Sequence, residues 1–144
     1  MKHRILWIED DYHAIKGLMR QIEKAKFVVD SATCAIDGYE KAQLWQDYDL
    51  IVVDLILPLT NGHADEPPQV VKSWKEEPHV GIGILKWLRQ VVKVACPVVL
   101  LSVVQNPVAV YHLESVKPDL YLPKHGLLPA DVKEQLLSLL GTAS

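Results

Sequence analysis

The chain has 144 residues, 49% hydrophobic and 23% charged, which suits one globular domain with its own core and leaves too little for two. A formal net charge of -3 without a basic block argues against direct nucleic-acid binding. The N-terminal apolar run is too short for a signal peptide, and the stretch around 94–104 contains Pro97 and falls short of the ~18 residues of a membrane span, so a soluble cytoplasmic domain without membrane contact is expected.

Ile5-Leu6-Trp7-Ile8 reads as a first buried strand and runs into the acidic cluster Glu9-Asp10-Asp11. Ile15, Leu18, Met19 and Ile22 follow at i, i+3, i+4, i+7, which predicts a helix over about 12–24, with Asp11 placed to cap it. Phe27-Val28-Val29 is a shorter second strand. Ile36, Tyr39 and Ala42 mark a helix over about 35–46. Leu50–Val53 is a β-branched run that ends in Asp54, as expected of a strand buried on both faces of a parallel sheet.

After Pro58 the pattern lapses. Residues 59–79 hold Thr60-Asn61-Gly62, Pro67-Pro68 and Glu76-Glu77-Pro78, with Val70, Val71 and Trp74 suited to one helical turn. Helical periodicity returns at Gly81, through Ile84, Leu85, Leu88, Val91, Val92 and Ala95. Pro97–Leu101 is a fourth strand ending in Ser102. A weaker helix is expected from Pro107, with Ala109, Leu113 and Val116 on one face. Leu120-Tyr121-Leu122 is a fifth strand ending in Pro123-Lys124. A last helix from Pro129 uses Val132, Leu136, Leu139 and Leu140 and stops at Gly141. Cys34 and Cys96 form no CxxC motif and read as buried thiols in a reducing compartment.

Five strand–helix units at regular spacing predict one α/β domain over residues 1–144. Its fold is a doubly wound parallel sheet with helices on both faces. In such a sheet the carboxyl ends of the strands share one edge, where ligands bind. Strand one delivers Glu9 and Asp10 there, strand three Asp54, strand four Ser102 and strand five Lys124. Clustered carboxylates repel unless a hard cation lies between them, and Mg²⁺ (or Mn²⁺) suits such oxygen ligands. Asp10 and Asp54 are placed to ligate directly and Glu9 through water. Asp54 is then a nucleophile for an aspartyl-phosphate. Lys124 offers a positive charge to the phosphoryl oxygens and Ser102 a hydroxyl donor.

With these residues in place the chain resembles a response-regulator receiver domain of two-component signalling, over nearly its whole length. Ile8-Glu9-Asp10-Asp11 resembles the family's acidic motif, Asp54 with Leu55-Ile56-Leu57-Pro58 its phosphoacceptor segment, Ser102 its Ser/Thr position and Lys124 its lysine. The resemblance implies the flavodoxin-like strand order 2-1-3-4-5, the backbone carbonyl of Ile56 as a third Mg²⁺ ligand, and Tyr121 as the aromatic switch residue that moves with Ser102. It also implies a histidine kinase or phosphotransfer protein as phosphodonor. The surface of helix four, strand five and helix five would be remodelled for an output partner. No output domain follows the fifth helix, so the chain is expected to act through a partner or to be a fragment of a larger protein.

Three features depart from the pattern. His125 follows Lys124 where the family has proline. Ile56 and Val104 are apolar at positions that tune water attack on the phosphate, which points to slow self-hydrolysis. Residues 59–80 form an insert between strand three and its helix, either a lid, a docking element or a neutral loop; its His63, Asp65, Glu66 and His79 fit no standard metal spacing. A pseudo-receiver that docks without phosphoryl chemistry is the alternative. An aspartyl phosphatase lacks its second acid, because Ile56 stands there. A nucleotide-binding flavodoxin-like protein lacks a glycine-rich loop after strand one.

Overall fold

The computed structural model describes residues 3–60, 62, 66–124, 126 and 128–141. Five parallel strands form one sheet in the order β2-β1-β3-β4-β5, with β1 His3–Ile8, β2 Phe27–Ala32, β3 Leu50–Asp54, β4 Val98–Ser102 and β5 Leu120–Pro123. The helices are α1 Tyr12–Lys24, α2 Ala35–Ala42, α3 Gln69–Ser73, α4 Val80–Lys86, α5 Pro107–Val110 and α6 Pro129–Leu139. Among the described residues no helix is long and apolar enough to cross a membrane.

Every residue of β3 and β4 is buried, as their unbroken apolar runs require. Alternate side chains leave the sheet on opposite faces. Leu6, Ile8, Ile51, Val53, Val98 and Leu100 pack beneath α2, α3 and α4. Ile5, Trp7, Leu50, Val52, Val99 and Leu101 face α1 and α6. Each fully buried side chain of this size contributes roughly 1.5–3 kcal/mol, and together they fix the sheet that carries the polar edge.

Four local outcomes differ from the expectation. β2 runs on to Ala32, beyond the apolar Phe27–Val29, because an edge strand is half exposed and tolerates Asp30 and Ser31. α2 stops at Ala42, and a 3₁₀ turn at Trp45–Asp47 leads into β3. The helix after β4 is a single turn, Pro107–Val110, followed by a 3₁₀ turn at Glu114–Val116; Leu113 and Val116 are buried but Ala109 is exposed. α4 passes at Trp87 into a π-helix that lasts to Val92. Its wider i→i+5 turn rotates later residues off the core face, so Val91 is 69% exposed and Ala95 also faces solvent, whereas Ile84, Leu85 and Leu88 are buried. The segment before α4 contains α3 and a 3₁₀ turn at Trp74–Glu76, with Val71 and Trp74 buried in the core. His63, Asp65 and His125 lie outside the described residues.

A candidate phosphoacceptor site at the sheet edge

The site is built by strand register. Asp54 pairs with Leu101 and Ser102 with Pro123, so the residues that close β3, β4 and β5 come out side by side. The ladder continues beyond the strands: Leu55 N–H donates to the Leu101 carbonyl at 2.9 Å, and Lys124 N–H to the Ser102 carbonyl at 2.9 Å. At the end of β1, Glu9 N–H donates to the Ala32 carbonyl at 2.9 Å. Backbone pairing thus delivers Glu9, Asp54, Ser102 and Lys124 to one edge.

Lys124 joins the two buried acids. Its Nζ lies 2.8 Å from Asp54 Oδ2 and 2.9 Å from Glu9 Oε1. Glu9 is 3% exposed and Asp54 1%. The same Glu9 oxygen accepts the Asp11 N–H at 2.9 Å, and Asp54 Oδ1 accepts the Ile56 N–H at 3.2 Å. Burial, and then the nearness of Asp54, push the Glu9 carboxyl up to about 8, although Lys124 and the Asp11 N–H pull the other way. Burial alone would lower the Lys124 ammonium, but Asp54 and Glu9 together hold it well above the usual lysine range. With both acids ionised, two carboxylates would face one ammonium in a dry site, a negative excess that keeps a proton on Glu9 unless a cation takes its place.

That excess fits a divalent cation. Ligand atoms of Glu9, Asp10 and Asp54 lie within 4.8 Å of one another. Glu9 Oε2 is buried without a hydrogen-bond partner among the described residues, an arrangement that costs about 1–3 kcal/mol if nothing occupies it. Asp10, by contrast, is exposed at the rim. Carboxylate oxygens of this number and hardness suit Mg²⁺ or Mn²⁺ better than a thiolate- or imidazole-seeking metal.

Among the described residues neither Ser102 nor Tyr121 hydrogen-bonds to the carboxylates. The Ser102 hydroxyl is engaged in its own loop: it donates to the Val104 carbonyl and accepts the Val104 N–H, both at 2.9 Å. Tyr121, opposite Leu100 on β5, is 43% exposed. Ile56 is 44% exposed beside Asp54, and Val104 packs partly against the core.

Gly81 is a contributor that residue patterning missed. Its N–H donates to the Leu55 carbonyl at 3.0 Å. A β-carbon there would lie 2.2 Å from the Asp54 carbonyl oxygen and 2.6 Å from that of Leu55. The first turn of α4 therefore rests directly on the main chain of Asp54, which only glycine permits. The available signal was a glycine at the start of an apolar helical stripe, where alanine would make a better helix.

No family model matches the chain. Over 59 residues, 41% of its length, it is 39% identical to the probable transcriptional regulatory protein SilR of Salmonella typhimurium and to the transcriptional regulatory protein CusR of Escherichia coli strain K12. Over 65 residues, 44% of its length, it is 35% identical to the regulatory protein VanRB of Enterococcus faecalis. These matches span 25%, 26% and 28% of the three proteins, so the chain corresponds to about a quarter of their length. Among solved structures, a CheY-like response regulator receiver domain protein from Methanospirillum hungatei superposes with a TM-score of 0.72 at 18% identity, over 98% of this chain and 95% of that one. The chemotaxis response regulator CheY4 of Vibrio cholerae gives 0.71 at 16% identity, over 96% and 99%. At such identities the likeness is one of fold.

Proposed function

We propose that the chain, a response-regulator receiver domain by fold, accepts a phosphoryl group on Asp54 in a two-component phosphorelay. The observation that carries this reading is the contact of Lys124 with both Asp54 and Glu9, three groups from three strands brought together in a buried pocket. A structural salt bridge needs one acid. A second buried acid with an unpartnered oxygen is better explained by a cation that neutralises it.

The donor is a histidine kinase or a phosphotransfer protein carrying phosphohistidine. An Asp54 carboxylate oxygen forms the new O–P bond as the P–N bond breaks, and the leaving imidazole takes up a proton. Glu9, Asp10 and Asp54, with the Ile56 carbonyl, would hold Mg²⁺, which offsets charge on the carboxylates and the phosphoryl oxygens. Lys124 turns from Asp54 toward a phosphoryl oxygen, a short move for a flexible ammonium. Ser102 releases Val104 to donate to another phosphoryl oxygen, and Tyr121 leaves its exposed position as that loop shifts. The surface formed by α5, β5 and α6 then changes for an output partner. The test is whether the chain takes one phosphoryl group from a small-molecule phosphodonor, and whether it does so on Asp54.

A further inference from the structure

His79 ends the segment between β3 and α4, in extended backbone just before the first turn of that helix. Its carbonyl accepts the Ile82 N–H at 3.1 Å, and two residues further on Gly81 is anchored to the main chain of Leu55 at 3.0 Å. The His79 ring reaches a different part of the chain. Its Nε2 lies 2.8 Å from the Tyr111 hydroxyl, 32 residues later, in hydrogen-bond contact. The two rings also meet edge to face, with centroids 5.3 Å apart and planes at 87°. Both residues are half-buried.

Tyr111 closes the stretch that begins at Ser102. Val104, whose N–H and carbonyl hold the Ser102 hydroxyl, packs partly against the same core cluster as Val108 and Tyr111. The Tyr111 N–H donates to the Pro107 carbonyl at 3.0 Å and completes the single turn of α5. Asn106 and His112, on either side of that turn, take left-handed backbone at φ 53 and 54, a conformation that residues other than glycine hold at a cost. One helical turn, strained at both ends, has little stability of its own and depends on tertiary contacts. Freeing Ser102 for a phosphoryl oxygen requires 103–110 to shift, and Tyr111 ties the far end of that stretch to His79. We propose that the His79–Tyr111 contact is a latch that restrains the α5 turn and the Ser102 loop from the anchored start of α4. His79 is thus a positioning residue acting on Ser102 through Tyr111. Its effect on phosphorylation rests on the reading of Asp54 as phosphoacceptor, whereas its hold on the α5 turn does not.

Amide hydrogen exchange of the unphosphorylated full chain, read by mass spectrometry, tests the latch without phosphate. His79→Phe keeps a ring but loses the hydrogen bond. It should raise exchange across 103–113 by about threefold to tenfold, the worth of one net hydrogen bond, and leave the strands unchanged. Tyr111→Phe should do the same, and the double variant no more than either single one, because all three remove one bond. With acetyl phosphate and Mg²⁺, each single variant should take up the phosphoryl group faster than the parent chain, a gain that simple loss of packing would not produce. Exchange across 103–113 that ignores His79→Phe, a rise spread over the whole chain, or phosphoryl uptake no faster in either variant than in the parent overturns the proposal. If the parent chain takes no phosphoryl group, the phosphoacceptor reading falls, and the exchange result alone decides for or against the latch.

Discussion

The place where a β-carbon would stand on Gly81 lies 2.2 Å from the carbonyl oxygen of Asp54. The start of α4 and the end of β3 are thus in contact through bare backbone, with the Gly81 N–H bonded to the next carbonyl, that of Leu55. Gly81→Ala forces one of the two apart. The expected cost is about 1–3 kcal/mol, the usual range for overpacking a tight site. The displaced Asp54 should also accept phosphate more slowly. Urea unfolding and phosphodonor kinetics on the variant check both effects; an unchanged unfolding midpoint would mean that the contact yields freely.

Lys124 is the sole cation within reach of two nearly unexposed carboxylates among the described residues. Lys124→Ala leaves both acids without it. Losing one partner of a buried ion pair costs about 3–5 kcal/mol, so the metal-free variant should unfold far more readily than the parent chain. Mg²⁺ supplies the missing charge, and should raise the variant's thermal midpoint by more than it raises the parent's. Equal shifts on adding Mg²⁺ would separate the lysine from the metal site.

Glu9 gives the metal-free fold a definite pH dependence. Its carboxyl stands at about 8 in the fold against 4.5 ordinarily, so between these values the folded chain keeps a proton that the unfolded chain releases. Stability from this group is complete below 4.5 and is lost as pH rises through the window to about 8. Unfolding midpoints in chelator should fall over that range. Glu9→Gln should flatten the fall, and Mg²⁺, which favours the ionised carboxylate, should oppose it. A midpoint that rises over the same range and ignores Glu9→Gln would contradict the assignment.

Neither Ile56 nor Val104 can orient a water for attack on a phosphoryl group at Asp54. Ile56 stands half exposed at the rim and Val104 packs partly against the core. Phosphorylated chain should therefore lose phosphate slowly, persisting for minutes or longer, and Ile56→Asn should shorten that lifetime. Loss of the phosphoryl mass followed over time reads this directly; a lifetime of seconds in the parent chain goes against it.

Much of this architecture is legible from residue patterning because buried parallel strands write themselves as apolar runs. Leu50–Val53 and Val98–Leu101 do so, and the polar residues that end them mark the edge where chemistry collects. The span of α1 also follows from its stripe, since Ile15, Leu18, Met19 and Ile22 are all buried. What stayed hidden depends on contacts distant in sequence. The bond between Glu9 and Lys124 joins the first strand to the loop after the last. The close approach of Trp74 to Gly83 needs α4 already in place. Val91 leaves the apolar stripe for a different reason: a 3.6-residue period cannot anticipate a π-helical turn. After β4 no continuous helical face forms, because Ala109 lies on the single turn Pro107–Val110, Val116 on the 3₁₀ turn, and Leu113 between the two.

The most direct test is the intact mass of the chain after incubation with acetyl phosphate and Mg²⁺. One added phosphoryl group is expected, absent in chelator, absent in Asp54→Asn, and mapped to the peptide containing Asp54. An unchanged mass in a folded, Mg²⁺-supplied sample would contradict the phosphoacceptor reading and leave a receiver fold that works by docking alone.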